Sequence, residues 1–201
     1  MLILVRHGRT EANASGLLLG RLDPELDEVG RGQAAAAAAS LAGTRVARVI
    51  TSPLARTRAT AEQIALVAGV PVEVDDRWIE LDYGELDGTP LGDVPAEVWA
   101  QWRADAAFAP AGGESLVGLG VRVRESLLEL SEAARYEHIV VVSHVSPIKA
   151  AVVWALGVGD DITWRMFLAP ASITRIAVSD RGPSLHGFND VSHLERTGTR
   201  P

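Results

Sequence analysis

Two histidines each follow an apolar segment that has the pattern of a buried β-strand. His7 follows residues 2–5, and His144 follows residues 139–142. In open parallel sheets, ligands bind beyond the carboxyl ends of the strands. If these two strands are neighbours, both imidazoles face one crevice, where a neutral imidazole can act as a nucleophile. A single histidine at such a position is usually structural, so the pair favours a function without excluding a structural role.

The pairs Ser52-Pro53 and Ser146-Pro147 each follow a predicted strand and have the pattern of a helix start. Serine is a favoured cap, and proline is a favoured first helical residue. A helix N-terminus carries unpaired N–H groups and the positive end of the helix dipole, so both starts would attract an anion at the same rim. Arg6 and Arg56 add guanidinium groups, which bind two phosphate oxygens at once. Together these groups predict an oxyanion pocket, although each Ser-Pro pair alone is a common way to begin a helix.

The elements that position these groups alternate along the chain. Their pattern predicts strands at residues 2–5, 46–50, 70–74, 139–142 and 173–178, and helices at residues 26–42, 53–68, 114–134 and 147–156. Short apolar strands alternating with helices predict an α/β fold, a three-layer sandwich whose mainly parallel central sheet is flanked by helices. A length of 201 residues suits one domain, residues 1–201.

Residues 89–113 break this alternation. The segment is rich in Pro, Gly and Ala but carries Trp99, Trp102 and Phe108. It is either a lid over a cleft or a small satellite core under a long excursion. As part of a cleft, its aromatic side chains would favour a substrate with an apolar or aromatic ester group.

The composition argues against several classes of protein. A formal net charge of −7 without a Lys/Arg run disfavours nucleic-acid binders and membrane-surface binders, which usually carry a basic face. The absence of cysteine excludes thiol chemistry. No signal peptide is visible, and the apolar stretch at residues 139–157 is interrupted by His144, Pro147 and Lys149. These features predict a cytoplasmic enzyme without a membrane span.

Four motifs occur in the order that is typical of one enzyme family. They are residues 6–13 (Arg-His-Gly-Arg-Thr-Glu-Ala-Asn), 52–57 (Ser-Pro-Leu-Ala-Arg-Thr), 80–88 (Glu-Leu-Asp-Tyr-Gly-Glu-Leu-Asp-Gly) and 142–144 (Val-Ser-His), with Gly-Gly-Glu-Ser at 112–115. From residue 1 to about residue 180, the chain resembles the histidine phosphatase superfamily, also called phosphoglycerate mutase-like. Val145 stands where the family often has glycine, and this variant resembles the phosphatase branch rather than the mutases.

The resemblance implies a metal-independent phosphomonoester hydrolase that acts through a phosphohistidine intermediate on His7. Neutral imidazole can attack phosphorus at physiological pH. Phosphoryl transfer depends mostly on positioning and charge stabilisation, which the resemblance assigns to Arg6, Arg56 and His144. The implied substrate-binding residues are Arg6, Thr10, Asn13, Arg56, His144 and the backbone of Val145.

Glu80 is the implied general acid, and it would then activate water as a base. Without the family motif, Asp82 and Glu85 are equally good candidates by position. For Thr10 and Asn13, the alternative role is simple capping of the loop after the first strand.

Three other functions stay open at this point. A phosphoglycerate mutase uses the same four groups, but mutases of this resemblance group usually have a longer insertion after the acidic loop than residues 85–112. Zinc could bind His7, His144 and Glu80, but Arg6 and Arg56 would repel a cation, so no metal and no other cofactor are predicted. The third is a non-catalytic phosphate-binding module.

The predicted partner is a small-molecule phosphate ester. An apolar strand near Ile173, predicted to be an edge strand, leaves a homodimer open. His138, His186 and His193 lack a strand-end setting and are predicted to lie at the surface.

Overall fold

The computed structural model describes residues 1–195, so the predicted end of the domain at residues 196–201 lies outside the described part. Its strands are β1 (Leu2–Arg6), β2 (Val46–Thr51), β3 (Val72–Val74), β4 (His138–Ser143), β5 (Ile173–Ser179) and β6 (Gly182–Asp190). Its α-helices are α1 (Glu11–Ala14), α2 (Glu28–Ser40), α3 (Ala55–Ala68), α4 (Ala96–Ala104), α5 (Leu116–Ala134), α6 (Val145–Leu156) and α7 (Ser192–Glu195). Short 3₁₀ helices occupy Asp76–Trp78, Gly84–Leu86 and Asp160–Arg165. Within residues 1–195, no helix combines the length and the apolar character needed to cross a membrane.

The strands form a mixed sheet in the order β3-β2-β4-β1-β5-β6. β3, β2, β4 and β1 are parallel, whereas β5 runs antiparallel to β1 and β6 runs antiparallel to β5. This arrangement confirms the predicted α/β fold with a mainly parallel sheet. β1 and β4 are direct neighbours, with Val5 opposite Val142 and Arg6 opposite Ser143.

Helices cover both faces of the sheet. Leu4 of β1 lies in one core with Val123 of α5 and with side chains of α6. The next residue, Val5, lies in a second core with Ala37 of α2 and with side chains of α3. Because both faces are buried, the central strands are apolar throughout instead of alternating with polar residues.

The strand that contains Ile173 is not an edge strand, contrary to the sequence prediction. β5 pairs with β1 on one side and with β6 on the other. β6 was not predicted because its sequence, Gly-Pro-Ser-Leu-His-Gly-Phe-Asn-Asp, has no apolar run and includes Gly and Pro. The apolar strand that suggested a homodimer is therefore covered within the chain.

His193 is buried, and its predicted place at the surface is wrong. It lies in α7 with 8% of its surface exposed, and its Nε2 is 3.1 Å from the carbonyl oxygen of Ala171. The neighbouring Leu194 packs with Ala36 of α2 and with Ala171, which brings the short helix onto the core. Of the other two histidines, His186 is exposed and His138 is half-buried.

Residues 89–113 contain α4 and build a small separate core. Trp102 is 1% exposed and packs with Leu18 and Val94, while Trp99 and Phe108 lie at the margin of this cluster. This is the satellite core that the sequence left open as one alternative. The same segment also forms part of the wall of the cavity described below.

Candidate active site

Parallel pairing of β1 with β4 places the two strand-end histidines side by side. The backbone N–H of His7 donates to the carbonyl oxygen of Ser143 over 3.0 Å. The ring centroids of His7 and His144 are 5.1 Å apart, and the rings are inclined by 62°. Both side chains are buried. The sequence prediction that the two imidazoles meet at one sheet edge is confirmed.

The turn after β1 fixes the orientation of the His7 ring. A Cβ atom on Gly8 would lie 2.3 Å from the carbonyl oxygen of Gly30, so only glycine allows this loop to approach α2 so closely. Nδ1 of His7 is 2.7 Å from the carbonyl oxygen of Gly8. Because a carbonyl oxygen only accepts hydrogen bonds, Nδ1 carries the proton. In the neutral ring, Nε2 therefore holds the lone pair and is the nucleophilic nitrogen.

Two buried guanidinium groups lie beside this imidazole and are anchored by backbone carbonyls. Nη1 of Arg6 donates to the carbonyl oxygen of Leu168 over 2.6 Å. Nη1 and Nη2 of Arg56 donate to the carbonyl oxygens of Leu22 and Gly20, each over 2.7 Å. Burial lowers the pKa of Arg6 to about 10 and also lowers the pKa of Arg56. With a pKa of about 10, Arg6 is still a cation at neutral pH.

Three nitrogen atoms of this cluster are buried without a hydrogen-bond partner among residues 1–195: Nε of Arg6, Nε of Arg56 and Nδ1 of His144. The other ring nitrogen of His144, Nε2, is 2.8 Å from Oγ of Ser52. Leaving a buried polar group unpaired is costly, and charged groups cost more. Phosphate oxygens are acceptors of the kind that these nitrogens lack.

Glu80 reaches the same site from the loop after the 3₁₀ helix Asp76–Trp78. It is 3% exposed, and its Oε1 accepts the backbone N–H of Leu81 over 2.7 Å. Oε2 accepts the N–H of Val145 over 3.0 Å, and Oε1 accepts the N–H of Ser146 over 3.2 Å. The carboxylate thus lies at the N-terminus of α6, next to the two imidazoles.

The two rival carboxylates lie elsewhere. Oδ1 of Asp82 accepts the N–H of Gly84 over 2.9 Å, and the side chain of Glu85 is exposed. Neither residue lines the cavity that contains His7, whereas Glu80 does. Of the three candidates, the structure brings only Glu80 to the imidazoles.

The two helix starts differ from the prediction. α3 begins at Ala55, and the N–H of Ala55 donates to Oδ1 of Asp23 over 2.7 Å. α6 begins at Val145, before the Ser-Pro pair at 146–147, and Glu80 accepts its first N–H groups. The predicted serine caps are therefore wrong, because carboxylates from distant loops make stronger, charge-assisted bonds at both ends. The N–H groups of Ala55, Val145 and Ser146 are therefore engaged by carboxylates of the protein.

Asp87 supports Arg56 through the intervening loop, and the sequence analysis assigned it no role. Its carboxylate accepts the backbone N–H groups of Gly20, Arg21 and Leu22 over 2.7, 2.7 and 2.8 Å. The carbonyl oxygens of Gly20 and Leu22 are the two acceptors that hold Arg56. Asp87 lies in the motif at residues 80–88. The residues around it in the sequence do not indicate that its partner, Leu22, lies 65 residues away.

The remaining predicted substrate-binding residues have protein partners. Thr10 and Asn13 form a capping box at the start of α1, each accepting the backbone N–H of the other over 3.2 Å. Thr10 is fully buried, whereas Asn13 lines the cavity next to His7. The N–H of Val145 is bonded to Glu80. The capping alternative for Thr10 and Asn13 is thus visible in the structure.

A cavity of about 620 Å³ opens onto His7. Arg6, His7 and Glu80 contribute to its wall, whereas Arg56 and His144 are fully buried beside them. The volume lies within the range of small-molecule binding pockets. The site thus combines a nucleophilic nitrogen, anchored cations and a carboxylate in a cavity large enough for an organic phosphate.

This arrangement agrees with the comparison of the sequence with known families. The family model of the histidine phosphatase superfamily (branch 1) matches residues 2–191. The chain belongs to this superfamily. Among solved structures, the chain is similar to a mycobacterial glucosyl-3-phosphoglycerate phosphatase in complex with VO3. The two sequences are 30% identical, the TM-score is 0.86, and the match covers 94% of this chain and 98% of the other.

Two curated proteins are similar to this chain. Phosphoserine phosphatase 1 of Hydrogenobacter thermophilus is 34% identical over 199 residues, which cover 96% of this chain and 93% of the relative. A bifunctional protein of Mycobacterium tuberculosis is 36% identical over 198 residues, which cover 96% of this chain and 54% of the relative. The chain therefore spans about half the length of the latter protein.

The imidazoles of His7 and His144 both lie in surroundings that disfavour their charged form. Burial, followed by the positive charges of Arg56 and Arg6, lowers the pKa of His7 well below its usual value of 6.5. Burial and neighbouring positive groups likewise lower the pKa of His144. In the ligand-free protein both rings are therefore neutral at physiological pH, which keeps Nε2 of His7 nucleophilic.

We expect the ring protons of His7 in the ligand-free protein to titrate well below pH 6.5 when followed by NMR, with the resonance assigned by its loss in His7→Ala. Between the lowered pKa and 6.5, the unfolded chain binds more protons than the folded one, so the free energy of unfolding decreases as the pH falls through this window. Inorganic phosphate is expected to raise the pKa of His7, because an anion favours imidazolium. A ligand-free midpoint at or above 6.5 would contradict this description of the site.

Proposed function

We propose that the protein is a metal-independent phosphomonoester hydrolase that transfers a phosphoryl group to Nε2 of His7 and then to water. One observation carries the proposal: the Gly8 carbonyl directs the lone pair to Nε2 within a cluster of buried, unpartnered nitrogens of Arg6, Arg56 and His144. Such a cluster suits the charge that develops on the non-bridging oxygens in phosphoryl transfer. The phosphatase names of two relatives support the same reaction class.

The first half-reaction forms a phosphohistidine. Nε2 of His7 attacks phosphorus while the bond from phosphorus to the leaving oxygen breaks. Protonated Glu80 donates its proton to that oxygen, so that a neutral alcohol departs. Arg6 and Arg56 neutralise the non-bridging oxygens throughout.

The second half-reaction restores the enzyme. Glu80, now ionised, takes a proton from water, and the water oxygen attacks phosphorus as the bond to Nε2 breaks. Inorganic phosphate leaves, His7 is again neutral and Glu80 is again protonated. Of the remaining binding residues, we assign Asn13 to the substrate because it lines the cavity. Thr10 acts by holding Asn13 in the capping box.

A phosphoglycerate mutase would use the same groups but return the phosphoryl group to a second hydroxyl. The short segment between the acidic loop and α5 and the names of the relatives favour hydrolysis. Incubation with 3-phosphoglycerate separates the two activities, because a hydrolase releases inorganic phosphate and a mutase produces the 2-phosphate isomer. Predominant isomerisation would reverse the assignment.

The proposed function is tested by turnover of purified full-length protein on a panel of phosphate monoesters in the presence and absence of EDTA. We expect release of inorganic phosphate at the same rate in both conditions, since none of the proposed steps uses a metal. Loss of activity with EDTA would favour the zinc alternative. Binding of phosphate without turnover of any ester would favour the phosphate-binding module.

A further inference from the structure

The cavity beside His7 is much larger than a phosphoryl group requires, and most of its extra surface is apolar. Three segments that are distant in sequence contribute large apolar side chains to it. We call this set the apolar wall; its members are Leu17, Leu19, Leu91, Trp99, Trp102 and Trp164. Three come from residues 89–113, two from the loop after α1, and one from the 3₁₀ helix Asp160–Arg165. None of the six side chains is ionisable.

The tryptophans of the apolar wall support one another. The ring centroids of Trp99 and Trp102 are 5.4 Å apart, and Trp164 lies 6.2 Å from Trp99 and 6.4 Å from Trp102. Tyr83 and Phe108 pack edge-to-face against Trp102 from 5.7 and 6.0 Å. Aromatic contacts at these distances are favourable, so the wall is held in place before any ligand binds.

The charged side chains that line the cavity are those of Arg6, Arg9, Glu80 and Lys149. Arg9 follows His7 by two residues and is paired with Asp27, with 2.8 Å between Nε and Oδ2. Lys149 lies one turn into α6, where it interacts electrostatically with Glu80 and Arg6. The apolar wall therefore faces the part of a substrate that is not phosphate.

One polar atom of the apolar wall lacks a partner. Trp102 is 1% exposed, and its Nε1 is buried without a hydrogen-bond acceptor among residues 1–195. A buried indole N–H usually finds an acceptor. An acceptor on the leaving group, such as a ring nitrogen or an ether or carbonyl oxygen, would accept a hydrogen bond from this N–H.

From these observations we infer that the substrate is a phosphate monoester of a bulky apolar or aromatic alcohol that carries a hydrogen-bond acceptor. The inference that this ester is hydrolysed rests on the proposed function. The inference that an apolar group binds to the wall does not. Burying an apolar group against the wall removes it from water, and each buried methylene contributes a factor of about four to the equilibrium constant. Polyhydroxylated alcohols gain little from such a wall and would lose hydrogen bonds to water.

The binding test uses alkylphosphonates, which are not hydrolysed. Calorimetric titration of the full-length protein with ethyl-, butyl- and hexylphosphonate is expected to show affinity rising with chain length, by up to roughly two orders of magnitude over the series. Trp99→Ala should flatten this dependence, whereas Trp154→Phe, on a half-buried residue of α6 outside the cavity, should leave it unchanged. Equal affinities across the series in the wild-type protein would overturn the inference.

The turnover test compares esters whose leaving groups are all alkoxides. kcat/KM should be higher for hexyl and 2-phenylethyl phosphate than for glycerol phosphate, phosphoserine and glucose 6-phosphate. Higher kcat/KM for the polar esters would overturn the inference while leaving the hydrolase intact. Absence of turnover together with a preserved chain-length dependence of phosphonate binding would instead overturn only the hydrolase.

The Trp102 indole is tested by Trp102→Phe, which removes the N–H but keeps an aromatic ring. We expect kcat/KM for 2-(pyridyl)ethyl phosphate to fall roughly threefold to tenfold relative to that for 2-phenylethyl phosphate. The same ratio should be unchanged in Trp154→Phe. An equal decrease for both esters in Trp102→Phe would show that the indole N–H meets no acceptor and would overturn that part of the inference.

Discussion

Replacing His7 with alanine is expected to lower kcat for any phosphate monoester by at least roughly three orders of magnitude. The reason is that, in the proposed mechanism, Nε2 of His7 takes up the phosphoryl group, and the carbonyl oxygen of Gly8 orients its lone pair. The measurement is release of inorganic phosphate, combined with rapid quenching of the wild-type enzyme. Quenched wild-type protein should carry acid-labile phosphate that maps to the peptide containing His7.

Two further variants make this result specific. Because His7 is buried, alanine leaves a void, so His7→Gln serves as a second variant that fills the space without supplying the nucleophile. His186→Ala removes an exposed imidazole elsewhere and should retain full activity. The mechanism would have to be abandoned if hydrolysis continued unimpaired in both His7 variants, or if the label mapped to another residue.

Replacing Glu80 with glutamine is expected to lower kcat for alkyl phosphates by roughly two to four orders of magnitude. An alkoxide needs a proton to leave, and Glu80 is the carboxyl group that lines the cavity together with His7. 4-Nitrophenolate leaves without protonation, so transfer from 4-nitrophenyl phosphate to His7 should be affected much less. The second half-reaction still lacks its base, so stopped-flow measurements should show a fast burst of nitrophenolate followed by slow turnover and accumulation of phosphohistidine.

The exposed Glu85 provides the matched control, since Glu85→Gln makes the same chemical change in the same loop. Glu80 also accepts the first N–H groups of α6, so thermal unfolding of Glu80→Gln should be measured alongside to separate loss of the helix cap from loss of catalysis. Equal decreases for alkyl and aryl esters without a burst would show that Glu80 positions the site and does not transfer protons.

Most of the fold follows from local patterns in the sequence. Continuous apolar runs identify β1 and β4, because strands buried on both faces need apolar residues at nearly every position. Mainly apolar runs, interrupted by Arg48 in β2 and by Thr174 and Arg175 in β5, identify the other two. Gly69 and Gly157 end α3 and α6 in the left-handed conformation at the positions predicted from their glycines. β6 escaped prediction because a half-exposed antiparallel strand can be built from polar residues once β5 supplies its hydrogen bonds.

The candidate site follows from the sequence only in part. The meeting of His7 and His144 is predictable, because adjacent parallel strands bring their carboxyl ends to one edge. The choice of Glu80 over its neighbours needed the family resemblance, since three carboxylates within six residues are equivalent by spacing alone. Asp87 could not be found in either way, because its role depends on a loop that only the folded chain brings to it.

By itself, the sequence determined which chemical groups the protein has and which strand ends they follow, because side-chain type and periodicity are local properties. Only the tertiary structure decided which hydrogen-bond donors at these strand ends are taken by carboxylates of the protein itself. Asp23 reaches the start of α3 across 32 residues and Glu80 reaches α6 across 65. Any of several distant carboxylates could accept the N–H groups of a helix start, so the sequence does not show which of them does. Carboxylates therefore accept N–H groups at both helix starts that the sequence predicted to be open to an anion, and the proposed anion site relies on guanidinium and imidazole nitrogens.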